Sequence, residues 1–275
     1  MPTRRPTSAI SALSPTPSQE RYVIPNLRNA CRILKLLGSN PGGFKAADIG
    51  RQLGIPVTTT LRIMTTLHLE GLVRKDGTQF ELGPVLIQLG TASLAGTEIR
   101  ATALPVLERL TAQISETCHL AIPCDDRSLI VAVQDSPHPL RAASRPGFLA
   151  ELHCSSTGKI FLAFLHHARL EEIFAKAQPT KRTAQTQTTL AEIRRETELT
   201  LKRGFSLDNE EFHLGVRCLA VPVYASDGNC VAAIGITAAT VRFPKERIPA
   251  MAGDVKAAAS ELSRLLGYSG APRLS

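Results

Sequence analysis

The 275-residue chain has no apolar run long enough to cross a membrane. Its longest, Cys230 to Val241, is 12 residues, against the roughly 20 that a spanning helix needs. The first 30 residues contain no uninterrupted apolar stretch, so no secretory leader is expected. The six cysteines, at 31, 118, 124, 154, 218 and 230, form no CxxC pair and no close Cys/His run. That excludes a zinc site built from neighbouring residues and suits reduced thiols in the cytoplasm. No internal repeat is evident, and the expectation is therefore a cytoplasmic protein with no membrane partner.

The most informative stretch is 45–71. Ala46, Ile49 and Leu53 fall on one face of a short helix. Gly54 supplies the sharp turn, Ile55 plugs it into a core, and Pro56 stands where a second helix starts. Val57, Leu61 and Met64 continue the buried stripe at spacings of four and three, which leaves Thr58, Thr59, Thr60 and Arg62 pointing outward. Two short helices across a tight turn form a helix-turn-helix pattern. Leu72 to Leu82 then reads as strand, Asp76-Gly77 turn and strand, with Arg74 and Lys75 near the tip. A hairpin in that place is the wing of a winged helix. Leu27, Ala30, Leu34 and Leu37 supply a third helix. The expected DNA contacts are Thr58, Thr59, Thr60 and Arg62 on the reading helix and Arg74 and Lys75 on the backbone.

Charge supports this placement. The net charge is +8, and residues 1–97 carry 11 Lys/Arg against 5 Asp/Glu, while 98–275 carry 21 against 19. The basic excess sits with the helix-turn-helix, as a phosphate-binding module requires. Eleven of the first 20 residues are Ser, Thr or Pro, a composition that cannot bury a core. The expected organisation is a disordered basic tail at 1–21, a winged helix-turn-helix at 22–83, a linker helix at 84–97 and a second domain at 98–270.

In that second domain a helix is expected from Glu98 to Glu116, and a hairpin from the runs 118–123 and 128–134. Ser155 or Ser156 is a natural cap for a helix through Leu165. Further helices are expected at 169–177 and 189–203, and a strand at 205–208. A strong antiparallel hairpin follows, from 216–224 and 230–238 across Asp227-Gly228, and a last helix from Pro244 to Leu266. The class is α+β, an antiparallel sheet packed by helices.

Three motifs in this order and spacing carry a resemblance: GIPVTTTLRIMTTLHLEGL at 54–72, LHCSSTGKIFLA at 152–163 and GFSLDNEEFHLGVRCLAVPVY at 204–224. Over about 22–268 the chain resembles the IclR family of bacterial transcription regulators. The resemblance implies a DNA-binding winged helix, a linker helix and a C-terminal effector-binding domain, assembled as dimers or tetramers. It also implies an effector, often a small organic acid, held at Ser156, Thr157, Asp208, Cys218, Gly235 and Thr237. Free amides at a helix N-terminus favour a carboxylate, which agrees for the first pair. At Gly235 some relatives carry a hydroxyl side chain, so glycine either leaves room for a larger ligand or removes one hydrogen bond.

Rival chemistry is weaker. Ser156 to Lys159 matches SxxK, yet no SDN or KTG partner follows. A phosphate loop fails, because His153 and Ile160 replace the required glycine and hydroxyl. Lys159 is expected to face solvent or pair with an acid near the pocket. His153, Cys154, Asp208, Glu210 and Cys218 are zinc-compatible types that could converge on a metal in three dimensions, which sequence spacing cannot show; cysteines in apolar strands are more often buried small hydrophobes, and no cofactor is expected. The expected function is a sequence-specific DNA-binding transcriptional repressor responding to a small effector. The alternatives are a metabolite-processing enzyme with an accessory DNA-binding domain and a non-specific nucleic-acid binder. A single winged helix makes few contacts, so a homo-oligomer reading an inverted repeat of double-stranded operator DNA is expected.

Overall fold

The computed structural model describes residues 21–40, 42–95 and 98–270. All but the last residue of the expected basic tail lies outside the described residues. The chain divides between residues 96 and 97 into two compact units.

In the first unit, α1 (Pro25–Gly38), α2 (Ala46–Leu53) and α3 (Val57–Leu69) precede β1 (Val73–Asp76) and β2 (Gln79–Leu82), and α4 (Pro84–Ala95) follows. Gly54 ends α2 with φ of 66°, the left-handed backbone that glycine accepts without Cβ strain. Ile33, Leu37, Ile49, Ile55, Ile63, Met64, Leu67 and Val73 close the core. The strands pair antiparallel, Val73 opposite Leu82 and Asp76 opposite Gln79. This is a winged helix-turn-helix.

The phase of α3 differs from the sequence expectation. Thr60 is 0% exposed, whereas Val57 and Leu61 are 50% and 46% exposed. The buried face is fixed by Ile63, Met64 and Leu67, and stepping back four from Met64 lands on Thr60. Ile55, ahead of the helix, fills the place that Val57 was expected to take. Thr60 tolerates burial because its hydroxyl donates to the Pro56 carbonyl at 3.1 Å. Thr60 therefore does not face outward, and Val57 and Leu61 do.

The second unit is built on one sheet in the order β5-β4-β3-β8-β7-β6, all neighbours antiparallel. The strands are β3 (Thr117–Cys124), β4 (Arg127–Gln134), β5 (Leu149–Glu151), β6 (Ser206–Asn209), β7 (Val216–Tyr224) and β8 (Cys230–Ala239). The helices are α5 (Glu98–Ile114), α6 (Ser156–Phe164), α7 (Leu170–Lys176), α8 (Leu190–Arg203) and α9 (Ile248–Leu265). Helices α5 and α9 pack on one another and on the sheet. Helix α6 packs against β6, β7, β8, β4 and β3, with α8 packed on it in turn. Ala121, Ala220 and Ala233 belong to the core cluster with Ile160 and Phe161, so small side chains let α6 approach the strands closely. The last helix starts four residues later than expected, after a 3-10 turn at Lys245–Arg247.

Candidate functional site

The first site is the open face of α3. Thr58, Arg62 and Thr65 lie three and four apart along it, with Val57 and Leu61 beside them, all exposed. Thr59 is half-buried. Arg62 has no ion-pair partner among the described residues, so its guanidinium is free for phosphate or guanine. Thr65 and Thr66 donate their hydroxyls to the carbonyls of Leu61 and Arg62, at 2.9 and 3.1 Å. On the wing, Arg74 is bound to Glu81 at 2.5 Å, a carboxylate that competes with any phosphate for the guanidinium. The Lys75 ammonium lies 5.9 Å from the centre of the Phe80 ring, and its side chain is exposed.

The second site is a polar row crossing the sheet. Asp208 on β6 stands opposite Cys218 on β7, Cys218 opposite Thr237 on β8, and Thr237 opposite Thr117 on β3. Cys218 Sγ lies 3.5 Å from Thr237 Oγ1, and Ser144, from the segment after β4, reaches the same oxygen at 3.5 Å. The next row on the same face is Ser206, Ala220, Gly235 and His119. Helix α6 begins above these rows. Its cap is Ser155, whose Oγ accepts from the Gly158 amide at 3.1 Å. Ser206 donates to the Ser156 carbonyl at 2.6 Å, and Ser128 of β4 donates to Thr157 Oγ1 at 2.8 Å. Ser156, Thr157, Asp208, Cys218, Gly235 and Thr237 are thus carried by one helix start and one sheet face.

Burial pushes the Asp208 carboxyl up to about 7, against the amides of Glu211 and Phe212, which bond Oδ1 at 2.8 and 3.2 Å. Burial likewise raises the Cys218 thiol. Lys159 is 3% exposed, not solvent-facing: it binds Glu211 at 2.6 Å and the Leu207 carbonyl at 2.8 Å. Of the two alternatives for Lys159, the paired one holds, and its ammonium is committed to those partners.

Sequence reasoning missed His119. It is 4% exposed, Nδ1 has no hydrogen-bond partner, and burial lowers its pKa to about 4. The imidazole is therefore neutral near pH 7. Its ring lies on Gly235, where a Cβ would come within 2.3 Å of Nε2. The extra room expected at Gly235 is therefore not there, because the histidine fills it. Only the pairing of β3 with β8 reveals this neighbour.

The five zinc-compatible residues do not form one ligand set. Among the described residues, the potential ligand atoms within 4.8 Å of each other belong to Glu151, His153 and Cys154. Arg182 binds the Glu151 carboxylate and Arg127 lies 3.6 Å from it. His153 Nε2 lies 3.0 Å from the Thr180 carbonyl. Glu210 turns to the Gly215 amide at 2.8 Å. The Glu151 charge is already met by arginine, which weakens it as a ligand. Two surface clefts of about 590 and 560 Å³ lie elsewhere, the first against α7 and the second against α9, and neither is lined by the expected effector residues.

A winged helix with an open reading helix, in one chain with a separate α/β sensing unit, defines a DNA-binding transcription regulator. The comparisons give the particular family. The IclR helix-turn-helix domain matches residues 27–77, and the bacterial transcriptional regulator IclR C-terminal domain matches 91–264. This chain belongs to the IclR family. It is 26% identical to the transcriptional repressor IclR of Escherichia coli K12, covering 98% of both chains. It is 30% identical to the transcriptional regulator BhcR of Paracoccus denitrificans, over 86% of this chain and 85% of that one. The crystal structure of Thermotoga maritima IclR is similar with a TM-score of 0.67 and 29% identity, over 88% of this chain and 98% of that one. The homologues are DNA-binding transcription regulators, among them the repressor IclR and the acetate operon repressor of Salmonella typhimurium, and the C-terminal unit is the family's effector-binding domain. No helix among the described residues is long and apolar enough to cross a membrane.

Proposed function

We propose that the protein is a cytoplasmic repressor that binds an inverted repeat as a homo-oligomer and responds to a small organic acid bound at the start of α6. The observation that carries the effector reading is the capped N-terminus of α6, set over the row Asp208, Cys218 and Thr237. Ser155 takes the Gly158 amide and leaves the first two helical amides for a carboxylate. Ser156 and Thr157 add hydroxyls, and an Asp208 that holds a proton near neutral pH repels an anion less. An acid that favours one arrangement of the chain would shift it between DNA-competent and incompetent states. Thr58, Thr59, Arg62 and Lys75 make the DNA contacts in this reading, with Arg74 a lesser one.

No chemistry is assigned to Ser156. The SxxK lysine is bound to Glu211 and a carbonyl, so it does not stand ready to take the serine proton. The test is selection from a random duplex pool with the full-length protein, repeated with a panel of small organic acids. One inverted repeat should be enriched, and one acid should release it from the wild type but not from Ser156→Ala. Turnover of an acid, abolished by Ser156→Ala, would overturn the reading in favour of an enzyme. Binding without enrichment of any sequence would overturn it in favour of a non-specific binder.

A further inference from the structure

The open face of α3 is more apolar than a DNA-reading surface has to be, and the cause is the helix phase. Val57 and Leu61 are half-exposed where the sequence pattern would bury them. Thr65 is also exposed, and its hydroxyl is spent on the Leu61 carbonyl at 2.9 Å. A threonine bonded back to its own helix offers a methyl group outward and keeps its donor inward. Leu61 and Thr65 are four apart, and Val57 lies four before Leu61, so the three line one edge of the helix. The adjoining edge carries Thr58 and Arg62, both exposed. An apolar edge bordered by the Arg62 guanidinium, unpaired among the described residues, matches one occupant, the major groove of duplex DNA. The only apolar group on the base edges there is the thymine 5-methyl.

We propose that Val57, Leu61 and Thr65 read thymine methyl groups, so that the half-site carries thymines beside the base or phosphate held by Arg62. This rests on the sequence-specific DNA-binding reading above. It makes Leu61 a specificity-determining residue with no polar contact to a base. Part of the operator preference is then set by shape and methyl contact in place of hydrogen bonds.

The test uses the full-length protein and the duplex it enriches from a random pool. Each thymine of the half-site is replaced in turn by deoxyuridine, which removes the methyl and keeps every hydrogen-bonding group. Burying one methyl contributes roughly 0.8 kcal/mol, so each contacted position should lose about fourfold in affinity. With Leu61→Ala, which removes an exposed side chain and leaves the core intact, at least one of the sensitive positions, the one Leu61 contacts, should change binding less than twofold on the same replacement. Uniform binding of all the deoxyuridine duplexes, or sensitivity undiminished at every position in Leu61→Ala, overturns the inference while leaving sequence-specific binding in place. A half-site without thymine overturns it as well. A pool that yields no preferred sequence removes the DNA-reading premise itself.

Discussion

Helices α3 and α6 begin alike, each with hydroxyl residues at its first turn, and they are set in opposite surroundings. Every residue of α6 is buried, including Lys159. In α3 only Thr60, Ile63, Met64 and Leu67 are buried, and the rest of the helix is open or half-open. The same residue type therefore has different work. Thr60 spends its hydroxyl on its own helix, Thr157 accepts from a neighbouring strand, and the Thr58 hydroxyl is exposed and makes no hydrogen bond among the described residues. A helix that meets a duplex keeps one face bare. The start of α6, where the proposed effector would sit, is enclosed by the sheet and by its neighbours. Stability should therefore respond to substitutions in α6 and leave those on the open face of α3 nearly unmarked.

The sharpest break of the comparison is Lys159→Ala. It leaves the buried Glu211 carboxylate without its cation and with only the Asn209 amide, 3.3 Å from Oε1, since Oε2 already has no partner. Removing one member of a buried pair costs about 3–5 kcal/mol. Chemical denaturation should show a loss in that range, while Arg62→Ala shows no measurable change in stability.

Asp208 ties stability to pH. Its carboxyl is raised from 3.8 to about 7, so the folded state keeps a proton that the unfolded chain gives up. Stability from this group is full below about 3.8, falls as pH rises to about 7, and is level above that. A shift of this size bounds the change at about 4 kcal/mol. Denaturation between pH 4 and 8 should give a slope for the wild type that is shallower in Asp208→Asn. An identical slope in the two proteins would place the proton elsewhere.

Gly235→Ser is the next largest effect. The new Cβ would meet the His119 ring at 2.3 Å, and overpacking of a filled site costs about 1–3 kcal/mol. The double variant with His119→Ala should recover most of that loss. Non-additivity measured by a double-mutant cycle would establish the two positions as one packing unit. Additive losses would mean that the serine clashes with something other than the ring.

These sites were legible in the sequence to different depths, for physical reasons. Local signals were sufficient for Gly54, for the Asp-Gly turns and for the Ser155 cap, because each depends on a few adjacent residues. The row Asp208, Cys218 and Thr237 came from the family resemblance, since antiparallel register across three strands is not written in any one of them. The phase of α3 was misread because Val57, Leu61 and Met64 fit helical spacing as well as Thr60, Met64 and Leu67 do. Hydropathy favours the first set; Ile55 and a hydroxyl that bonds its own helix decide for the second. His119 could not be singled out from a run of apolar residues. Its significance depends on a glycine 116 positions away that lies opposite it in the sheet.

The smallest expected effect is on the wing. Lys75 is exposed, and Arg74 is bound to Glu81 in the same hairpin. If Lys75 meets a phosphate and Arg74 is held back by its carboxylate, the two neighbours should differ in what they release on binding DNA. Each phosphate neutralised by a lysine frees about one counterion, so the slope of log affinity against log salt should fall by about 1 per site for Lys75→Ala. Arg74→Ala should change it less, because the pair already cancels much of its field. Glu81→Gln should then steepen the slope by freeing Arg74. Titrations of one selected duplex across a salt series would read all three. Equal slopes for the wild type and Lys75→Ala would take the wing off the phosphate backbone, leaving α3 and its single unpaired arginine as the contact that positions the reading helix.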